Sequence, residues 1–185
     1  FYSVKFKEKG DVDSYTDALI KEIADRPPLC GGPSTLYIGG GTPSLMGEDF
    51  FRRVVEALEQ YAPFEEFTVE ANPDDVCKKG VEFFKTLKCL GVNRISMGVQ
   101  SFDDAVLRWM GRRHNASDAQ KAFSILREAG FDNISLDLIS NINTSRIPGA
   151  DENSVAHSLE KIISLRPEHI SVYSLTVEPG TKLSG

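Results

Sequence analysis

Three consecutive glycines, Gly39-Gly40-Gly41, followed by Thr42-Pro43-Ser44, are the stretch of this 185-residue chain best suited to holding a ligand. Glycine runs serve backbone that must take positive φ, or that a ligand approaches closely enough to touch bare amides. Consecutive amides near a helix N-terminus suit a carboxylate or a phosphate. Taken alone, such a loop also reads as a tight turn between a strand and a helix. Polar residues then recur where later apolar runs end: Glu70, Gln100, Asp137 and Thr176. Glu70 alone reads as a satisfied turn carboxylate, but several consecutive strand ends with polar side chains are hard to explain as packing. Glycine amides suit a carboxylate, acids suit an ammonium or ribose hydroxyls, and Arg112 or Arg113 suits a carboxylate. Together they suit a polar zwitterion.

These residues need a scaffold that brings strand ends to one face. Leu36-Tyr37-Ile38, Phe67-Thr68-Val69-Glu70-Ala71 and Arg94-Ile95-Ser96-Met97-Gly98-Val99 read as strands, as do residues 133–139 and 169–175. Helical periodicity fills the intervals. Tyr15, Ala18, Leu19 and Ile23 recur after an N-cap at Asp13 or Ser14, with residues 1–11 read as loop, until Pro27-Pro28 stops the pattern. Phe50, Phe51, Val54, Val55, Leu58 and Tyr61 share one face of the next helix. Residues 75–90 form a helix burying Val81, Phe84 and Leu87, after the turn signal Asn72-Pro73-Asp74. A short helix spans residues 104–110, and another, capped by Ser117, buries Ala119, Ala122, Phe123 and Leu126. Residues 151–165 place Val155, Leu159, Ile162 and Ile163 inside. Strands alternating with helices specify parallel βαβ units, in which the carboxyl ends of the strands share the ligand-binding face.

Composition bounds the function classes. Hydrophobic residues at 41% and charged residues at 26% suit one soluble globular domain. A net charge of −6 gives no electrostatic case for nucleic acid, DNA included, or for an acidic membrane surface. No apolar run approaches the roughly 18 residues of a membrane span, and the opening residues lack a signal-peptide pattern. Cys30, Cys77 and Cys89 lack the spacing of a metal or redox motif and read as free thiols, which points to the cytoplasm. Cys77 and Cys89 lie on one helix, about 18 Å apart if it is straight, so these cysteines are expected to hold no cluster. His114 reads as part of a solvated basic loop, His157 and His169 as structural, and Trp109 and Met110 as helix packing.

The motifs 36–44 (Leu-Tyr-Ile-Gly-Gly-Gly-Thr-Pro-Ser), 69–73 (Val-Glu-Ala-Asn-Pro) and 94–102 (Arg-Ile-Ser-Met-Gly-Val-Gln-Ser-Phe) form an ordered set. It continues with 110–114 (Met-Gly-Arg-Arg-His), 137–139 (Asp-Leu-Ile) and 171–181 (Ser-Val-Tyr-Ser-Leu-Thr-Val-Glu-Pro-Gly-Thr). The set resembles the radical S-adenosylmethionine (SAM) proteins of the oxygen-independent coproporphyrinogen III oxidase family. That resemblance implies a partial parallel (β/α)₆ barrel around a [4Fe–4S] cluster and SAM, with five strands here and the first strand missing. It implies that Gly40, Gly41 and Thr42 contact the methionine part of SAM, its amino group in particular. Glu70, Gln100, Arg112 and Asp137 are then further SAM contacts, with backbone near Thr176 beside the adenine. The cluster motif Cys-x-x-x-Cys-x-x-Cys is absent, and Phe1-Tyr2-Ser3 resembles the residues that follow it. The chain is therefore expected to be one radical SAM core over residues 1–185, with the cluster segment before it and a further domain after it. After Asp137-Leu138-Ile139 the family runs Tyr-Gly-hydrophobic-Pro, whereas here residues 140–146 precede Ile147-Pro148-Gly149.

The family divides into two functions. Oxidases use a 5′-deoxyadenosyl radical to remove hydrogen from coproporphyrinogen III propionates, leading to decarboxylation. Heme chaperones carry the same cluster and SAM site but pass heme to an acceptor protein, their only route to a membrane. The oxidases resemble Cys-x-x-x-Cys-x-x-Cys-x-Cys, and the chaperones have Phe for the fourth cysteine, the position Phe1 takes in this register. Tyr2-Ser3 and Glu178-Pro179-Gly180-Thr181 also resemble the chaperone branch. The expected small-molecule partners are SAM and heme, with porphyrinogen as the substrate if the chain is an oxidase. An unrelated α/β barrel binding another anionic metabolite is the reading outside the family.

Overall fold

The computed structural model describes residues 9–26, 32–177 and 180. Its five strands are β1 (Thr35–Ile38), β2 (Glu66–Ala71), β3 (Arg94–Gln100), β4 (Ile134–Ser140) and β5 (His169–Ser174). They form one parallel sheet in the order β1-β2-β3-β4-β5. Sequential order with right-handed crossovers keeps every connecting helix on one side and curls the sheet into a barrel arc. The helices are α1 (Lys9–Asp25), α2 (Glu48–Ala57), α3 (Pro73–Cys89), α4 (Asp104–Trp109), α5 (Ala116–Glu128) and α6 (Ser154–Leu165).

The two faces of the sheet have opposite chemistry. Phe67, Val69, Ile95, Met97, Ile134, Leu136 and Leu138 are buried in the core, together with Phe51, Phe84, Leu87, Ala122 and Leu126 from α2, α3 and α5. The alternate positions of the strands are polar and bond one another across them. Arg94 donates to Thr68 Oγ1 at 3.2 Å, Ser96 donates to Asp137, and Ser135 Oγ lies 2.9 Å from His169 Nδ1. Large side chains in such a core contribute about 1.5–3 kcal/mol each, so the helical side of the sheet carries the packing.

Several local signals resolve differently from the sequence reading. α1 begins at Lys9 rather than after Asp13, with buried Thr16 bonding back to the Val12 carbonyl at 2.7 Å. α5 is capped by Asn115, not Ser117: the Asn115 side chain accepts from Asp118 N–H, and the Asp118 carboxylate accepts from Asn115 N–H. This reciprocal pair satisfies two otherwise orphaned amides. Asn72 is the N-cap of α3 and Pro73 its first residue, and Gly80, with φ 73°, breaks that helix. The straight-helix separation of Cys77 and Cys89 therefore does not apply. α6 starts at Ser154, and only Ile162 of its expected apolar set is fully buried; Leu159 and Ile163 are exposed. The residues after Asp137-Leu138-Ile139 extend β4 to Ser140 and then form a 3₁₀ turn, Thr144–Arg146. Ile147 is buried beyond it with Ala105 and Val106 in a second small core, against which Trp109 and Met110 pack.

Candidate functional site

The glycine loop leaves β1 at Gly39, where a side chain would force its neighbours to shift: a Cβ would lie 2.3 Å from the Tyr37 ring and 3.0 Å from Glu70 Cδ. Gly40 and Gly41 take φ of +79° and +44° with open space around them, as backbone facing a ligand should. Glu70, at the end of β2, accepts from Gly40 N–H at 2.9 Å and from the Tyr37 hydroxyl at 2.7 Å. Burial, and then the Glu70 hydrogen bond, push the Tyr37 phenol well up, so it remains a donor. Among the described residues the amides of Gly41 and Thr42 have no acceptor.

β3 ends at Gln100, whose φ of 68° is unusual for a residue with a side chain. Ser101 N–H donates to Val99 O across it, a tight γ-turn that interrupts the β3–β4 register and folds Gln100 over Gly98. A Cβ at Gly98 would lie 2.7 Å from Gln100 Nε2. Strain of this kind persists where the surroundings enforce it and concentrates at functional sites. Asp137, near the end of β4, accepts from Ser96 at 3.1 Å and lies 3.4 Å from Ser135 Oγ. Burial raises its carboxyl above the usual range, offset by the hydroxyls of Ser96, Ser171 and Ser135.

Arg112 follows α4 in a turn held at both sides. Arg113 pairs with Asp74 and Asp75 at 3.2 Å each. His114 is buried, with Nε2 2.9 Å from Val99 O. That overturns its reading as a solvated loop residue. Burial, and then Arg112, lower the His114 pKa, so the ring is neutral with its proton on Nε2 facing the carbonyl. Arg112 itself is half-buried, its guanidinium pKa lowered by burial, and it has no partner among the described residues. An unpaired buried cation is costly unless a ligand completes it.

Gly40, Gly41, Thr42, Glu70, Gln100, Arg112 and Asp137 line one cavity of about 350 Å³ at the carboxyl ends of the strands. That lies within the ~300–1,000 Å³ usual for small-molecule sites. Thr176 is exposed and does not line it; the β5 contribution is Tyr173, the penultimate residue of the strand. Tyr173, Ser96 and Asn72 are lining residues that strand-end reasoning misses. The signal for Ser96 and Tyr173 was the period-two alternation of polar residues within each strand (Ser96 on β3, Ser135 and Asp137 on β4, Ser171 and Tyr173 on β5).

The cavity offers free amides, two carboxylates and an unpaired guanidinium, a donor and acceptor set that fits the amino-acid end and hydroxyls of SAM. Of the three cysteines, Cys77 and Cys89 are described. Cys30 and Phe1-Tyr2-Ser3 lie outside the described residues, as do Glu178, Pro179 and Thr181. Cys77 is half-buried against the Asp118 carbonyl, and Cys89 is exposed. Among the described residues no three His, Cys, Asp or Glu side chains gather as metal ligands. None of the described helices is long and apolar enough to cross a membrane.

An arc of parallel β/α units with a polar cavity at the carboxyl ends of its strands defines a barrel-type α/β fold. The Radical SAM superfamily profile matches residues 2–162, and the chain belongs to that superfamily, in the group of heme chaperone HemW and coproporphyrinogen III oxidase HemN. It is 41% identical over 182 residues to "Heme chaperone HemW" of Bacillus subtilis, covering 95% of this chain and 46% of that protein. The Escherichia coli protein of the same name is 33% identical, with 94% and 46% covered. The solved structure of coproporphyrinogen III oxidase (HemN) from Escherichia coli superposes with a TM-score of 0.79 at 29% identity. It covers 95% of this chain and 40% of that one. The chain thus spans about half the length of the curated relatives it matches.

Proposed function

We propose that this chain is the SAM-binding core of a heme-chaperone-like radical SAM protein. The observation that carries the reading is Arg112: a half-buried guanidinium, unpaired among the described residues, facing the cavity that holds Gly41, Thr42 and Asp137. Arg112 takes the ligand carboxylate, and the Gly41 and Thr42 amides add donors beside it. Asp137 and Glu70 accept from the ammonium or the ribose hydroxyls, with Gln100 closing one side. Bound SAM supplies a sulfonium whose reductive cleavage is the chemistry of the superfamily. A [4Fe–4S] cluster would be the reductant for that cleavage. In this arrangement the protein's own groups bind and orient SAM.

The chaperone function rests on the resemblance of the whole ordered motif set and on the naming of relatives at 31–41% identity. Phe1, where the oxidases carry a fourth cysteine, favours the same side. Heme, a heme-acceptor protein and a cytoplasmic setting belong to this proposal. Anaerobic incubation of the full-length protein with SAM, a reductant and either heme or coproporphyrinogen III tests it. Stable heme binding without protoporphyrinogen formation is expected; turnover to protoporphyrinogen would make the protein an oxidase.

A further inference from the structure

The glycine loop and Arg112 come from different elements, yet a ligand's amino-acid end must reach both. We propose that Asp75, which does not line the cavity, is the positioning residue that fixes their spacing. This inference rests on the SAM reading of the cavity.

Asp75 sits in the first turn of α3 and is 2% exposed. Its Oδ2 accepts from Ser44 Oγ at 2.9 Å and from Arg113 Nη2 at 3.2 Å. Ser44 is equally buried, lies two residues beyond Thr42, and accepts from Asn72 N–H at 3.2 Å. One carboxylate therefore ties the end of the glycine loop to the turn that carries Arg112. Asp74 supports it from the neighbouring position, its Oδ2 3.2 Å from Arg113 Nε. The other side of that turn is held by His114 on Val99 O. With the two residues that follow it anchored, Arg112 is the member of the Arg112-Arg113-His114 run that faces the cavity. Loosening Asp75 lets the loop and the guanidinium move independently, which affects only a ligand that bridges them.

This separates positioning from packing. SAM carries the amino-acid end; 5′-deoxy-5′-methylthioadenosine keeps the adenosine and sulfur but lacks it. Asp75→Asn keeps the shape and removes the charge, leaving Ser44 or Arg113 without its acceptor. Binding of both compounds to anaerobically purified full-length protein is measured for wild type, Asp75→Asn, Ser44→Ala and the double variant. Loss of one hydrogen bond to a charged group corresponds to about tenfold in affinity. Asp75→Asn is expected to weaken SAM by about that factor and to leave methylthioadenosine within about twofold. Ser44→Ala, which cuts one end of the link and carries the prediction if Asp75→Asn does not fold, should show the same selectivity. The double variant should bind SAM no more weakly than Asp75→Asn alone, because both act on one link. Equal loss for both compounds would reduce Asp75 to packing, and unchanged SAM affinity would overturn the inference outright. A wild-type protein that binds methylthioadenosine but not SAM, or neither, would instead remove the underlying reading.

Discussion

Replacing Arg112 with methionine should stabilise the empty protein and cripple it as a binder. The guanidinium is half-buried, burial lowers its pKa, and no carboxylate meets it among the described residues. Methionine keeps the apolar stem and removes the charge, so the core loses little packing. Relief of an uncompensated charge is worth about 1 kcal/mol, which raises the thermal midpoint of a unit this size by about 2–4 °C. Removing one side of a guanidinium–carboxylate pair costs a ligand about 3 kcal/mol, or about a hundredfold in affinity. Thermal unfolding of wild type and Arg112→Met, each with and without saturating SAM, reads both effects. Wild type should gain stability from SAM through mass action, and the variant should start higher and gain almost nothing. A variant that melts lower yet keeps its SAM shift would mean that Arg112 has a structural partner and that the carboxylate is held elsewhere.

Two further outcomes follow from the same geometry. Gly39→Ala should cost about 1–2 kcal/mol of stability, since the exposed Tyr37 ring can swing away from the new methyl. It should weaken SAM more than that, because Glu70 loses the Tyr37 hydroxyl; unchanged affinity by titration would show that Glu70 is not a ligand group. Asp137 has a raised carboxyl pKa, so its contribution to stability is present below the ordinary value of 3.8 and lost as pH rises through the folded value. Asp137→Asn should accordingly be the more stable protein at neutral pH, with the difference closing as pH falls below that ordinary value. It should also bind SAM about tenfold more weakly at pH 7, a charge-assisted hydrogen bond having become a neutral one. A variant less stable than wild type at pH 7 would contradict the burial argument.

The strands were legible because each is a short apolar run closed by glycine, proline or a polar residue, and the glycine loop announced itself by composition. The strand-end rule led to Glu70, Gln100 and Asp137 because parallel strands place those ends together. It led astray at Thr176, since β5 stops at Ser174 and its inward residue is Tyr173. Looking only at strand ends missed Ser96, because the inside of this arc is polar along the strands and only its helical side is packed. Periodicity showed which face of α6 is apolar but not what covers it, hence Leu159 and Ile163 at the surface. His114 and Asp75 could not be read locally: the partners that define them, Val99 O, Ser44 and Arg113, are distant in sequence. Asn115 outcompeted Ser117 as a cap because only Asn115 has an acid three residues later to complete the reciprocal pair.

The central claim is that this cavity holds SAM by its amino-acid end, and anaerobic calorimetric titration of the full-length protein tests it most directly. The account predicts saturable binding of one SAM per chain in the wild type. It predicts no measurable binding in the folded Arg112→Met/Asp137→Asn double variant. Saturable SAM binding that survives in that double variant, or none in the wild type, would contradict it.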